Sequence, residues 1–108
     1  MEESLIRVLE DATGLQVYNL ERPEAVRECI VYTYSDDVFS TADDEEDIIK
    51  YVIYINLYCD TGLNRRRREI KEALEKNGFL KMYIPPANLT DELGLINQAF
   101  NYVYIEAR

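Results

Sequence analysis

The side chains that crowd closely enough to suggest chemistry fall in two charged runs of opposite sign. Asp36, Asp37, Asp43, Asp44, Glu45, Glu46 and Asp47 lie between Ser35 and Asp47, with Val38 and Phe39 among them. Clustered carboxylates are ligands for hard cations, which raises calcium first. An EF-hand loop needs alternating ligands, a glycine at its sixth position and a closing glutamate. Ser35 to Asp47 contains no glycine, so no metal site is expected there. A solvated loop, or a docking segment that orders against a partner, fits the run better.

The opposing run is Arg65-Arg66-Arg67-Arg68. Four consecutive helical residues fan around the axis and cannot form one basic strip. The rest of the molecule is anionic, with a net charge of −9 and a pI near 4.4. No specific nucleic-acid binding is therefore expected, because phosphate recognition needs clustered positive charge. Residues 1–54 hold 4 basic against 14 acidic residues, a net of −10, and residues 55–108 hold 8 against 7, a net of +1. Such asymmetry suggests head-to-tail pairing between copies, a contact that can close a ring.

The chain contains no histidine, which removes every Ser-His, Cys-His and His-metal mechanism. It has no CxxC pair, no GxSxG elbow and no phosphate-cradling glycine loop. Scattered Asp and Glu give no local signature of a paired-carboxylate hydrolase. The expectation is a protein that is not an enzyme and that uses no cofactor. Cys29 and Cys59 both fall in expected strands and are read as free buried thiols rather than a bridge.

A chain of 108 residues with 47% hydrophobic and 31% charged content can bury one core without a disulfide or metal staple. One domain spanning 1–108 is expected. Met1-Glu2-Glu3-Ser4 is acidic where a secretory leader is basic. No apolar run approaches the ~20 residues of a membrane helix, so no membrane partner is expected. The Asn88-Leu89-Thr90 sequon is read as a chance match in a reducing cytoplasm.

Residues 4–12 predict a helix with Ser4 as N-cap, Leu5, Val8, Leu9 and Ala12 on one face, and Gly14 as its stop. A brief extended piece around Leu15 and Val17 follows, and Cys29 to Tyr34 predicts a strand. The acidic run at about 35–47 is expected to be a mobile loop, since it cannot bury enough apolar surface to hold itself down. Ile49 to Cys59 predicts a long strand with Ile49, Tyr51, Ile53, Ile55, Leu57 and Cys59 on its core face. Leu63 to Asn77 predicts a second helix whose stripe is Leu63, Ile70, Ala73 and Leu74, completed by the stems of Arg66 or Arg67. Arg68–Glu72 and Lys71–Glu75 are its expected ion pairs. Leu80 to Ile84 and about Asn97 to Glu106 close the chain as strands, the last with both faces covered. The order α-β-β-β-α-β-β gives an α+β fold: a mostly antiparallel sheet with two helices packed on one face. Nine tyrosines suit sheet surfaces and subunit interfaces alike. Tyr54 and Tyr58, with Arg65 to Arg68, are the candidate subunit interface.

In this layout the chain resembles the small tail-terminator, or tail-completion, proteins of long-tailed bacteriophages and prophages. Thr13-Gly14-Leu15-Gln16-Val17-Tyr18 leading to Cys29-Ile30-Val31-Tyr32-Thr33-Tyr34 carries the likeness. So do the long strand Tyr51 to Tyr58, the helix exit Ala73-Leu74-Glu75-Lys76-Asn77-Gly78-Phe79 and the aromatic closing strand. The tetra-arginine turn and Pro85-Pro86 do not match it. The resemblance implies a virion part assembled in the bacterial cytoplasm, a hexameric ring that caps the tail tube and takes part in head–tail joining. Its implied partners are copies of itself, the tail-tube protein and head connector proteins. The rival reading is an acidic adaptor that docks a basic protein.

Overall fold

The computed structural model describes residues 1–42, 46–90 and 94–107, with the backbone alone for residues 39–42 and 46–47. Helix α1 (Glu2–Thr13) and strands β1 (Val17–Asn19), β2 (Cys29–Ala42) and β3 (Glu46–Cys59) come first. Helix α2 (Leu63–Lys76) and strands β4 (Leu80–Tyr83), β5 (Asn88–Leu89) and β6 (Ile96–Ala107) follow. The expected α+β order stands, with the two-residue β5 added. The sheet order is β1-β2-β3-β6-β4, and β5 also pairs with β6. Every pairing is antiparallel except β1 with β2.

Both helices cover one face of the sheet. Leu5 and Leu9 of α1 and Ile70 and Leu74 of α2 are fully buried, and they join Ile53, Ile55, Leu57, Phe100 and Tyr102 in one core. The period-two reading of β3 holds, because Ile49 through Cys59 alternate onto this face and are each at most 5% exposed. Helix α1 starts earlier than expected. Met1 is its N-cap, and Ser4 lies inside the helix. Glu2 and Glu3 fill the first turn, where carboxylates face the positive end of the helix dipole. Gly14 ends α1 at φ 72, and its amide donates to Glu10 O at 2.8 Å. The exit of α2 is also as read. Asn77 Nδ2 donates to Ala73 O at 2.7 Å, and Phe79 N to Leu74 O at 3.0 Å, which swings the Phe79 ring onto Tyr104 with centroids 4.8 Å apart.

The largest correction concerns the acidic run. Ser35 to Ala42 continues β2, and Glu46 and Asp47 begin β3, so most of the expected loop is a strand hairpin. Its register runs unbroken from Cys29↔Tyr58 to Val38↔Ile49, then resumes after a bulge at Ser40↔Ile48. The partner strand overrides the low β-propensity of aspartate. Asp37 faces Lys50, Val38 faces Ile49, and Tyr34 meets Tyr51 edge-on with centroids 5.8 Å apart. Such cross-strand pairs are the unit of sheet stability. The molecule is accordingly elongated, 52 × 24 × 23 Å.

A second correction concerns the face away from the helices. Val103 is buried, but Ile105 is 47% exposed, so β6 is not covered on both sides. Cys29 lies on that outer face opposite Tyr58, whereas Cys59 lies on the helix-covered face. Both thiols are free and buried, as read, and their alternation onto opposite faces keeps them from bridging.

Candidate assembly surfaces

The outer face of the sheet collects apolar and tyrosine side chains from neighbouring strands. Tyr54 is 47% exposed, Leu80 55% and Tyr83 61%, beside Ile105. Tyr54 lies between Thr33 and Asn101 in register, and Tyr83 follows beyond Asn101. Tyr54, Tyr83 and Pro85 wall a shallow groove of about 240 Å³ floored by Ala99 and Asn101. The Asn101 Oδ1 is buried and has no hydrogen-bond partner among the described residues. Tyr58 takes a different role from Tyr54. It is half-buried, and the Arg22 guanidinium lies 5.8 Å from its ring centroid. Tyr54 therefore belongs to the open part of the face, and Tyr58 to a part already occupied by this chain.

The arginine turn divides in the same way. Arg66 donates to Thr13 O at the end of α1 and is 14% exposed. Arg67 donates to Gln98 Oε1 at 2.9 and 3.2 Å. Buried Gln98 passes the contact on, its Nε2 donating to Pro85 O at 2.7 Å. These two arginines tie α2 to α1 and to β6, and both are partly buried. Arg65 and Arg68 point to solvent, and Arg65 sits 3.4 Å from Glu69. The expected Lys71–Glu75 pair forms at 3.1 Å. Arg68–Glu72 is not among the ion pairs of the described residues, and Arg65–Glu69 supplies the second i,i+4 contact.

The acidic candidates are spread along the hairpin. Asp36 is exposed on the helix-covered side opposite Tyr51, and Asp37 is exposed on the outer side opposite Lys50. Val38 is 51% exposed. Phe39 sits at the bulge with its backbone in β2, and Glu46 and Asp47 pair with Ala42 and Thr41. Asp43, Asp44 and Glu45 lie outside the described residues.

Tyrosine–carboxylate pairs went unread in the sequence. Tyr102 donates to Glu75 at 2.8 Å, Tyr32 and Tyr34 both donate to Glu2, and Tyr51 donates to Glu106 at 3.2 Å. Burial first, then the carboxylate beside each hydroxyl, raises Tyr102 and Tyr32 well above the ordinary tyrosine value. The Tyr102 hydroxyl in turn holds the Glu75 carboxyl below its usual range. Arg27 lies 2.7 Å from Asp60, whose amide donates to Glu28 at 2.8 Å, which ties the segment before β2 to the turn before α2. The Arg27 hydrogen bond lowers Asp60. Burial pushes both thiols upward, away from reactivity.

No protein-family model matches this chain, and no curated protein does. Solved structures do share its fold. A chain in the virion of a native gene transfer agent (GTA) particle superposes at a TM-score of 0.55, with 13% identity, covering 95% of this chain and 89% of that one. At that identity the likeness is one of fold.

Proposed function

We propose that this chain is a structural component of a virion, a ring-forming part that caps the tail tube and takes part in joining the head. The observation that supports it most is the fold shared with a virion chain along 95% of this one. The surface suits the role. Tyr54, Tyr83, Leu80 and Ile105 give the outer face interface-like content, since exposed tyrosine is enriched where proteins meet. The net charge of −9 repels phosphate, so DNA passing the ring would not adhere. Copies of itself, the tail-tube protein and head connector proteins are the partners, and the virion is where the chain acts. No catalytic step and no cofactor enter this reading.

Deleting the gene in the organism that encodes the chain tests it. Electron microscopy should then show DNA-filled heads and tails that fail to join, with tails of irregular length. Intact particles in normal numbers would contradict the proposal. The adaptor reading predicts instead intact particles and a salt-sensitive complex with a basic protein.

A further inference from the structure

Among the described residues, no strand covers either edge of the sheet at one height of the molecule. On one side β1 covers β2 only from Ile30 to Tyr32. Leu20 N still donates to Tyr32 O at 2.9 Å, and its φ of 75 then turns the chain away. From Thr33 to Val38 no described strand lies against that edge of β2. On the other side β4 is outermost, with all four residues exposed. Pro85-Pro86 separates β4 from β5, and proline interrupts an edge because it has no amide proton to offer.

Cross-strand partners show that the two open stretches are level. Thr33 is followed across the sheet by Tyr54, Asn101 and Tyr83, Tyr34 by Ile53, Tyr102 and Lys81, and Ser35 by Val52, Val103 and Leu80. Three successive antiparallel pairings make β2 and β4 antiparallel to each other. A second copy carried sideways by rotation, without inversion, therefore presents its β2 antiparallel to the first copy's β4. The charges agree as well. Lys81 and Asp36 lie on the same, helix-covered side of the sheet, since their partners Tyr102 and Tyr51 do. With Tyr34 level with Lys81, Asp36 is the diagonal neighbour, about 7–8 Å away and within reach of a lysine. Asp37 already faces Lys50 within its own chain. Within its own chain the Lys81 charge also acts on Glu75, as the last of the influences that lower that carboxyl.

We infer that Thr33–Val38 of one copy adds as an antiparallel strand to Leu80–Tyr83 of the next, so that the sheet runs on from copy to copy. This rests on the ring-forming reading above and names the surfaces that carry it. The contact is heterologous, so it closes into a ring when the rotation between copies closes. Aspartates on one edge and prolines on the other admit this pairing while blunting edge-to-edge association with other strands.

Cysteine trapping tests it. Ser35 and Leu80 are both exposed, and level partners across such a pair stand ~5 Å apart at Cα, within disulfide reach. The native thiols are buried. Under mild oxidation at millimolar protein, a mixture of Ser35→Cys and Leu80→Cys should give a mixed disulfide dimer that neither variant gives alone. Adding Lys81→Glu to the second variant should cut the yield about fivefold, and Asp36→Lys in the first should restore it. Thermal melts of each variant check that it folds. Self-association of the wild type in sedimentation without a mixed disulfide would overturn the edge pairing and leave the ring reading standing. A Leu80→Cys homodimer of equal yield would do the same, since it marks a two-fold contact. Wild type that stays monomeric, with no mixed disulfide, would overturn both.

Discussion

The two faces of this sheet are made by alternate residues of the same strands, yet they do opposite work. Ile53, Ile55 and Leu57 are sealed beneath α1 and α2, while Tyr54, between them, is 47% exposed. Phe100 and Tyr102 are buried, and Ile105 three residues on is 47% exposed. Apolar content alone therefore does not mark the core here. The covered face holds this chain together, and the outer face leaves Tyr54, Tyr83, Leu80 and Ile105 exposed.

The strongest way to break that contrast is to truncate matched residues on each face. Ile55→Ala should cost about 3–4 kcal/mol of stability by leaving a cavity under the helices. Tyr54→Ala should cost no more than about 0.5 kcal/mol and should weaken self-association instead. Equal losses in chemical denaturation would erase the distinction. Next in size is Gln98→Leu, which leaves Arg67 and Pro85 O without their shared partner. A loss of about 2 kcal/mol is expected by the same measurement, since stranded buried polar groups are costly.

Tyr102→Phe sharpens the picture of the covered face. It removes one hydrogen bond to a carboxylate and should cost about 1 kcal/mol at neutral pH. The hydroxyls of Tyr102 and Tyr32 are raised in the folded chain above the ordinary value of 10. Folding therefore favours their protonated forms, so their contribution is full below pH 10 and is lost as pH rises beyond it. Melting temperatures should fall on that alkaline limb, and less steeply for Tyr102→Phe. The smallest effect lies at acid pH. Glu75 and Asp60 are lowered, so their stabilisation is present above the ordinary carboxylate range and fades as pH falls through their folded values. Both are exposed, and added salt should shrink this limb.

Much of the fold was legible because period-two and helical spacing are local. The β3 faces, the α2 stripe and the Gly14 and Gly78 stops all read true. The hairpin did not, because Asp36 and Asp37 carry no strand signal of their own. Their conformation is set by Ile49, Lys50 and Tyr51 on the partner strand, and no local pattern announces a partner. The arginine turn was half legible. Spacing placed Arg66 or Arg67 inward without choosing between them, and the Gln98 relay spans 31 residues. Tyrosine abundance pointed to surfaces without separating Tyr54, which is open, from Tyr58, which Arg22 covers.

Quantitative mass spectrometry of particles purified from the organism that encodes this chain tests its virion role most directly. The account predicts the chain in DNA-filled particles at a fixed, ring-sized copy number that survives salt washing. Its absence from purified particles, with the whole pool left soluble in the lysate, would contradict it.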